Sequence, residues 1–449
     1  MDILHILAQG ERLTLECKKA TNALPNSVWE TYSAFANTNG GTILLGVAEN
    51  LREKSMSKRF QIIGVDDPDK IRKDFWNILN SKEKVNANLL TDNDLQILNV
   101  DGKNVIAISI PRADYTTRPI YINNNILRGS FKRNHEGDYH CSDQEIKMML
   151  RDANDSANDG IVLQYYSMDD IDTPSLEAYR IMFRTINPEH IWNSLPHKDF
   201  MQQLGGYARN RKDGFEGLTL AGLLMFGKGL PIRERFDNIR MDYIDMSHLV
   251  GDQRYSDRLT YDGSWENNLF NFLRLTLPKL SHDLPRPFQM DGVIRNDDTL
   301  LHKAIREAMT NMIIHSDLLL NGILKIQKYD DHIVLTNPGL LMLPIEQIYA
   351  GGESKARNQR MQNMLRMIGF GENIGSGFPL ILHAWNEKQW SKPQLVEQPE
   401  LLQVKLTLQI QQSELTSSSQ PSSESVPSSS QPRPNLVPSS SQVRPKLKA

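Results

Sequence analysis

The run Leu300–Asp317, LLHKAIREAMTNMIIHSD, carries the most specific chemistry in the sequence. Leu301, Ala304, Ile305, Ala308, Met309 and Met312 recur at three-and-four spacing, which predicts an amphipathic helix capped by Asp297 or Asp298. Glu307 and Asn311 then stack one turn apart on one face. A carboxylate able to orient a water, one turn before an amide oxygen able to complete an octahedral Mg²⁺ shell, is a way to hold a nucleotide triphosphate. Taken alone, the two residues also fit an ordinary polar face on a core helix. A second set is acidic. Glu16 sits on an expected strand, Glu11 in the turn before it, and Glu49 just past the strand TILLGV, so pairing of those strands would bring the three together. Clustered carboxylates can bind Mg²⁺ or Mn²⁺ and activate water at a phosphodiester. Lys18, Lys19, Arg128, Lys132 and Arg133 could hold a phosphate backbone nearby, or form a solvated strand edge.

These residues need elements to position them. Residues 1–155 read as a mixed α/β unit: a short helix at 2–9, a strand at 13–18, a helix at 27–36 and the TILLGV strand at 42–47. Strands at 61–65, 95–100 and 105–110 follow, with a helix at 69–79 and a closing helix at 142–150. Residues 156–295 read as a helical connector with one strand at 239–246, which would suit a packing module or a winged helix. Residues 296–411 begin with the Glu307 helix and continue into a hairpin, 322–328 and 333–336, that ends in Asn337-Pro338-Gly339. The glycine-bearing segment Gly351–Asn358 comes next, containing Lys355 and Arg357, then a helix at 359–368, then Gly371, Gly375 and Gly377. Glycines let backbone amides approach phosphate oxygens, and a helix starting after Gly377 would aim its positive end at them.

Composition sets outer bounds. A chain of 449 residues with 39% hydrophobic and 23% charged side chains is a multidomain α+β or α/β protein. A net charge of −3 excludes a uniformly basic nucleic-acid binder but leaves room for a local patch. Two cysteines, Cys17 and Cys141, give no disulfide framework and fit reduced cytoplasm. His135, His140 and Cys141 lack a fourth ligand at any familiar zinc spacing. Neither a secretory leader nor a membrane span is expected. The segment 412–449, rich in Ser, Gln and Pro with an imperfect PSSSQ repeat, reads as a disordered tail whose Arg433, Arg444, Lys446 and Lys448 could touch nucleic acid weakly.

Glu11, Glu16 and Lys18, then SAFANTNGGTILLGV, then LRGSFKR before a helix, together resemble the Schlafen AlbA_2 domain across nearly all of residues 1–150. The resemblance implies nucleic-acid binding. In nuclease members of that group three acidic residues form the metal site, and Glu11, Glu16 and Glu49 would stand there. Over residues 160–410, REAMTNMIIHSD, NPG and IGSG resemble the GHKL ATPase fold, in the divergent form found behind AlbA_2 domains in bacterial proteins labelled transcriptional regulators or RecG-related. That likeness implies an α/β sandwich binding ATP with Mg²⁺. Glu307 would be the general base, Asn311 the Mg²⁺ ligand, Asn337 and Gly339 the adenine-side turn, and Gly371, Gly375 and Gly377 the phosphate lid. GHKL enzymes generally use an aspartate where this chain has Asn337, whose carbonyl accepts without charge. No G-x-x-x-x-G-K-[ST] loop occurs, so helicase activity is not expected. The leading expectation is a homo-oligomeric, ATP-binding, nucleic-acid-binding regulator. Its rivals are a metal-dependent endoribonuclease acting in phage defence and a scaffold with a vestigial ATPase fold.

Overall fold

The computed structural model describes residues 7, 13–50, 52–53, 59–154, 158–236, 239–284, 290–291, 294–295, 299–371 and 377–410. The expected helix at 2–9 (apart from Leu7), Glu11, Gly375 and the tail at 412–449 lie outside them.

Strand β1 (Leu15–Lys18) leads to helix α1 (Ser27–Asn37), then β2 (Gly41–Leu45), β3 (Val47–Glu49) and β4 (Phe60–Ile62). Helix α2 (Pro68–Asn80), β5 (Leu95–Val100), β6 (Lys103–Ile110), a single turn α3 (Ile126–Gly129), β7 (Phe131–Asn134), β8 (Gly137–His140) and α4 (Asp143–Asp152) complete the N-terminal part. The central sheet has the order β1-β2-β6-β5, with β1 parallel to β2 and the other pairs antiparallel. The apolar run of β2 is continuous because both faces are buried: Ile43 and Leu45 enter the core under α1 and α2, and Leu44 enters a smaller core on the other side with Leu15 and Val105. Within α1, Trp29 stacks on Phe75 of α2 at 5.2 Å. Asn37, at the end of α1, holds the following loops together: its amide donates to the carbonyls of Ile120 (2.8 Å) and Phe131 (2.9 Å), and its oxygen accepts from the Ile120 N–H.

Helices α5 (Thr173–Ile186), α6 (His197–Leu204), α7 (Leu220–Phe226) and α8 (Gly229–Arg235) follow, with a short pair β9 (Tyr207–Arg209) and β10 (Glu216–Leu218) between α6 and α7. Then come β11 (Arg240–Asp245), β12 (Asp257–Leu259), α9 (Leu269–Ser281), the two-residue pair β13 (Met290–Asp291) and β14 (Ile294–Arg295), and α10 (Leu300–Ile314). The last part holds β15 (Ile323–Lys328), β16 (His332–Pro338), α11 (Ile345–Ala350), α12 (Gln359–Met367), α13 (Gly377–Glu387), β17 (Gln394–Gln398) and β18 (Gln403–Gln409). Their six-stranded sheet has the order β12-β11-β15-β16-β18-β17.

Strand β11, expected inside a separate connector, pairs in parallel with β15 and so belongs to the C-terminal sheet. One core runs without a break from Leu163 through the connector helices to Leu408. The cause is burial: Met241 and Tyr243 on β11 need the same apolar layer that α9 and α10 provide. The protein is a mixed α+β multidomain chain. No helix among the described residues is long and apolar enough to cross a membrane.

Candidate nucleotide site

Helix α10 forms as its spacing predicts, but its cap is Thr299, whose hydroxyl accepts from the His302 N–H, rather than Asp297 or Asp298. It packs between α9, α12, α13 and the sheet strand β16. Its C-terminal carbonyls are satisfied from a distant segment. The Asn358 amide donates to Ile313 (3.0 Å) and Ser316 (2.8 Å), which ties the glycine-bearing segment to the end of the Glu307 helix. The hairpin β15–β16 turns at residues 329–332 and delivers Asn337 to the last positions of β16.

Several stretches meet around one cavity. Glu307, Thr310 and Asn311 come from α10, Asn337 from β16, Lys355 and Arg357 from the glycine-bearing segment, Gln362 and Arg366 from α12, Gly371 from the turn after it, and Gly377 and Phe378 from α13. Leu341, Met342 and Ile348 supply apolar walls. At one end, Glu307 presses against the first turn of α13. A Cβ placed on Gly377 would stand 1.9 Å from Glu307 Oε1, so only glycine permits that approach. Gly371, at φ +86, packs beside Thr310 and Glu307 at the same end. Asn337, from β16, is buried, and its amide donates weakly to the Pro338 carbonyl at 3.4 Å. His315, one turn beyond Asn311, is held neutral: burial, helped by the Arg357 charge, pulls its pKa down to about 4.

Two expected ligand positions, Arg357 and Gly339, make contacts within the fold. Arg357 is a buried strut: Nε and Nη2 each donate to the Asp152 carboxylate at 2.8 Å, Nη2 donates to the Leu340 carbonyl at 2.9 Å, and Nη1 donates to the His315 carbonyl. Its charge is spent on the end of α4. Gly339, at φ +106, is not among the residues lining the cavity, and a Cβ there would come within 2.8 Å of Arg357 Nη1. Lys355 remains at the cavity, and its ammonium lies 5.3 Å from the Tyr115 ring.

The N-terminal part therefore grips the walls of this cavity. Arg112 reaches Glu397 of β17 (3.1 Å) and the Leu341 carbonyl (2.7 Å), while Glu397 accepts from the Leu341 N–H at 2.6 Å. Arg151 pairs with the buried Asp317. Arg118 is almost wholly buried, and burial lowers its pKa to about 10 with the Arg112 charge adding to the effect.

In the N-terminal part, Glu16 lies 2.8 Å from both Lys18 and Arg133, one cation on each carboxylate oxygen. Glu49 is held by Arg59 Nε at 2.6 Å. Among the described residues no group of three or more His, Cys, Asp or Glu is gathered to hold a metal. Arg133, expected at the nucleic-acid surface, is buried instead, paired also with Asp138 at 2.9 Å and lying over the Phe35 ring. Lys132 pairs with Glu145 at 2.6 Å, whereas Lys19 and Arg128 are exposed. Cys141 is a core residue against Ile146 and Met149, its thiol pushed up to about 12 by burial.

Sequence reasoning missed Thr310, although it follows Glu307 by three residues and so shares its face. It also missed Asp152 and Glu397, for which nothing local gives a signal.

Family models match three successive parts of the chain. The Schlafen, AlbA_2 model matches residues 11–142, and HATPase_c_4, described as an ATP-dependent DNA helicase recG C-terminal region, matches residues 323–406. The chain is a Schlafen AlbA_2 protein with a recG-type HATPase domain. Between the two, a domain of unknown function, DUF8451, matches residues 147–242 and so takes in α4 and most of the connector of this AlbA_2 protein. No curated protein matches it. Among solved structures, it is similar to the DIP2311 protein from Corynebacterium diphtheriae, at 18% identity over 91% of this chain and 68% of that one, with a TM-score of 0.42. It is also similar to the N-terminal domain of a RecG-related protein from Nitrosomonas europaea, at 31% identity over 31% of this chain and 91% of that one, with a TM-score of 0.24.

Proposed function

We propose that this AlbA_2 protein binds ATP with Mg²⁺ in the α10–α13 cavity and uses its occupancy to regulate nucleic-acid binding by the AlbA_2 domain. One observation carries the nucleotide reading: Glu307, Asn311, Asn337, Gly371 and Gly377, from separate stretches, line one cavity. The residues suit such a ligand. Gly371, at φ +86, keeps the backbone beside Glu307 free of a side chain, and among the described residues the buried Thr310 hydroxyl has no partner. Asn311 would hold Mg²⁺, which supplies charge neutralisation at the phosphates. Glu307 would orient and deprotonate a water. Asn337 would accept from the adenine amino group and, being an amide, could also donate, so it discriminates purines less sharply than a carboxylate.

Coupling follows from the walls. Leu341 and Met342 line the cavity and also bear the contacts of Arg112 and Arg118, and Lys355 spans from the cavity to Tyr115. A ligand that moves either segment changes the seat of the AlbA_2 domain. Exposed Lys19 and Arg128 are its candidate phosphate contacts. Calorimetric titration with MgATP tests the nucleotide half: Asn311→Ala should weaken binding at least about tenfold, near 1.4 kcal/mol. Equal affinities in the two proteins would refute it. Repeating a duplex-DNA and RNA titration with and without MgATP tests the coupling, and identical affinities would remove it.

A further inference from the structure

Among the described residues the hydroxyl of Thr310 has no hydrogen-bond partner. Its side chain is 1% exposed, it lines the cavity, and Oγ1 is buried with nothing to bond. Helical Ser and Thr ordinarily return the hydroxyl to the carbonyl one turn back, as Thr185 does to Ile181 at 2.9 Å and Thr31 does to Ser27 at 3.2 Å. Thr310 does not, although the Arg306 carbonyl is at the matching position in sequence. Unpaired buried hydroxyls are rare because each forfeits the bonds it made in water. One on a cavity wall points to a partner that enters from outside.

The place of Thr310 says what kind of partner. A Cβ on Gly371 would lie 3.3 Å from Thr310 Cγ2 and 3.8 Å from Glu307 Oε2, so Thr310 and Glu307 flank the same glycine. Gly377 of α13 also meets Glu307 there, while Asn337 comes from β16. The hydroxyl of a cavity-lining residue that flanks a glycine can donate to an anionic oxygen. We propose that Thr310 Oγ1 donates to a phosphate oxygen of the bound nucleotide, making Thr310 a phosphate-positioning residue beside Glu307. This deepens the nucleotide reading and rests on it.

Valine removes the hydroxyl and keeps the β-branched shape; serine keeps the hydroxyl. MgATP titrations of the full chain carrying Thr310→Val or Thr310→Ser are paired with thermal melts taken without nucleotide. The expected result is a loss of at least about tenfold in MgATP affinity for T310V, with T310S close to wild type. The melting temperature of T310V without nucleotide should hold or rise, since an unpaired buried hydroxyl has been removed. Undiminished MgATP binding by T310V overturns the inference while leaving the nucleotide reading intact. A T310V melt well below that of T310S also overturns it, because the hydroxyl would then serve the fold. If wild type binds no MgATP, the nucleotide reading itself fails; a raised T310V melt would still identify an unpaired hydroxyl, but this proposal would fall with its ligand.

Discussion

Substituting Asp152 by alanine isolates the grip between the end of α4 and the wall of the α10–α13 cavity. The Asp152 carboxylate takes two bonds at 2.8 Å from a guanidinium that is only 5% exposed. Asp152→Ala leaves Arg357 with the carbonyls of His315 and Leu340 and no carboxylate in contact. Breaking a buried pair from one side costs about 3–5 kcal/mol, because the surviving charge stays out of water. The two carbonyls and the nearby charges of Asp317 and Glu397 offset part of this, so the lower end, about 3 kcal/mol, is expected. Urea unfolding followed by tryptophan fluorescence reads the loss. The double variant Arg357→Met with Asp152→Leu removes both charges, and it should recover to within about 1 kcal/mol of wild type. A single variant within about 1 kcal/mol of wild type would refute the claim that this pair is a desolvated strut. A double variant no better than the single would show that the cost lies in shape and not in charge.

Other expectations can be checked with the same material. Gly377→Ala puts a methyl group where Glu307 now sits, so the carboxylate or the start of α13 must move. A destabilisation of about 1–3 kcal/mol, together with weaker MgATP binding, should appear in melts and titrations. Acid behaviour gives a further test. Asp159 is raised from 3.8 to about 6 by burial, so the folded state binds a proton that the unfolded state has released, and Asp159 adds stability as pH falls from 6 to 4. His315 is lowered from 6.5 to about 4, so the unfolded state takes up a proton that the folded state refuses, and stability is lost over nearly the same interval. Each term is worth about 3 kcal/mol with opposite sign, so the two nearly cancel in wild type. Asp159→Asn should uncover the histidine slope, seen as a steep fall in urea stability between pH 6 and pH 4. A variant profile parallel to wild type would show that Asp159 does not carry the term.

The sequence made the cavity legible because its residues belong to motifs whose spacing implies shape: Glu307 and Asn311 one turn apart, a hairpin ending in Asn337, and glycines before a helix. The strands and helices of the AlbA_2 domain were legible for the same reason, and β2 announced its double burial through TILLGV. Partners were not legible. Arg133 and Arg357 look by type like phosphate-binding cations, and only the fold reveals that Asp138 with Glu16, and Asp152, have already claimed them. Side-chain type sets what a cation can bind, while tertiary proximity sets what it does bind, and Asp152 lies 205 positions from Arg357. Strand β11 shows the same limit: periodicity marked it as a strand but carried no information on its neighbour.

That neighbour determines how the chain can be divided. Between β11 and β15 lie α9 and α10, so the parallel pair closes around the Glu307 helix. A fragment beginning at residue 296 would retain every motif residue of the HATPase domain, yet it would strip β11 and β12 from one flank of the sheet. The backbone donors and acceptors of β15 would then face solvent in a row, an edge ready to pair with another chain. The six-stranded sheet is thus completed by strands from the preceding region, and β11 and β15 are parts of one folding unit.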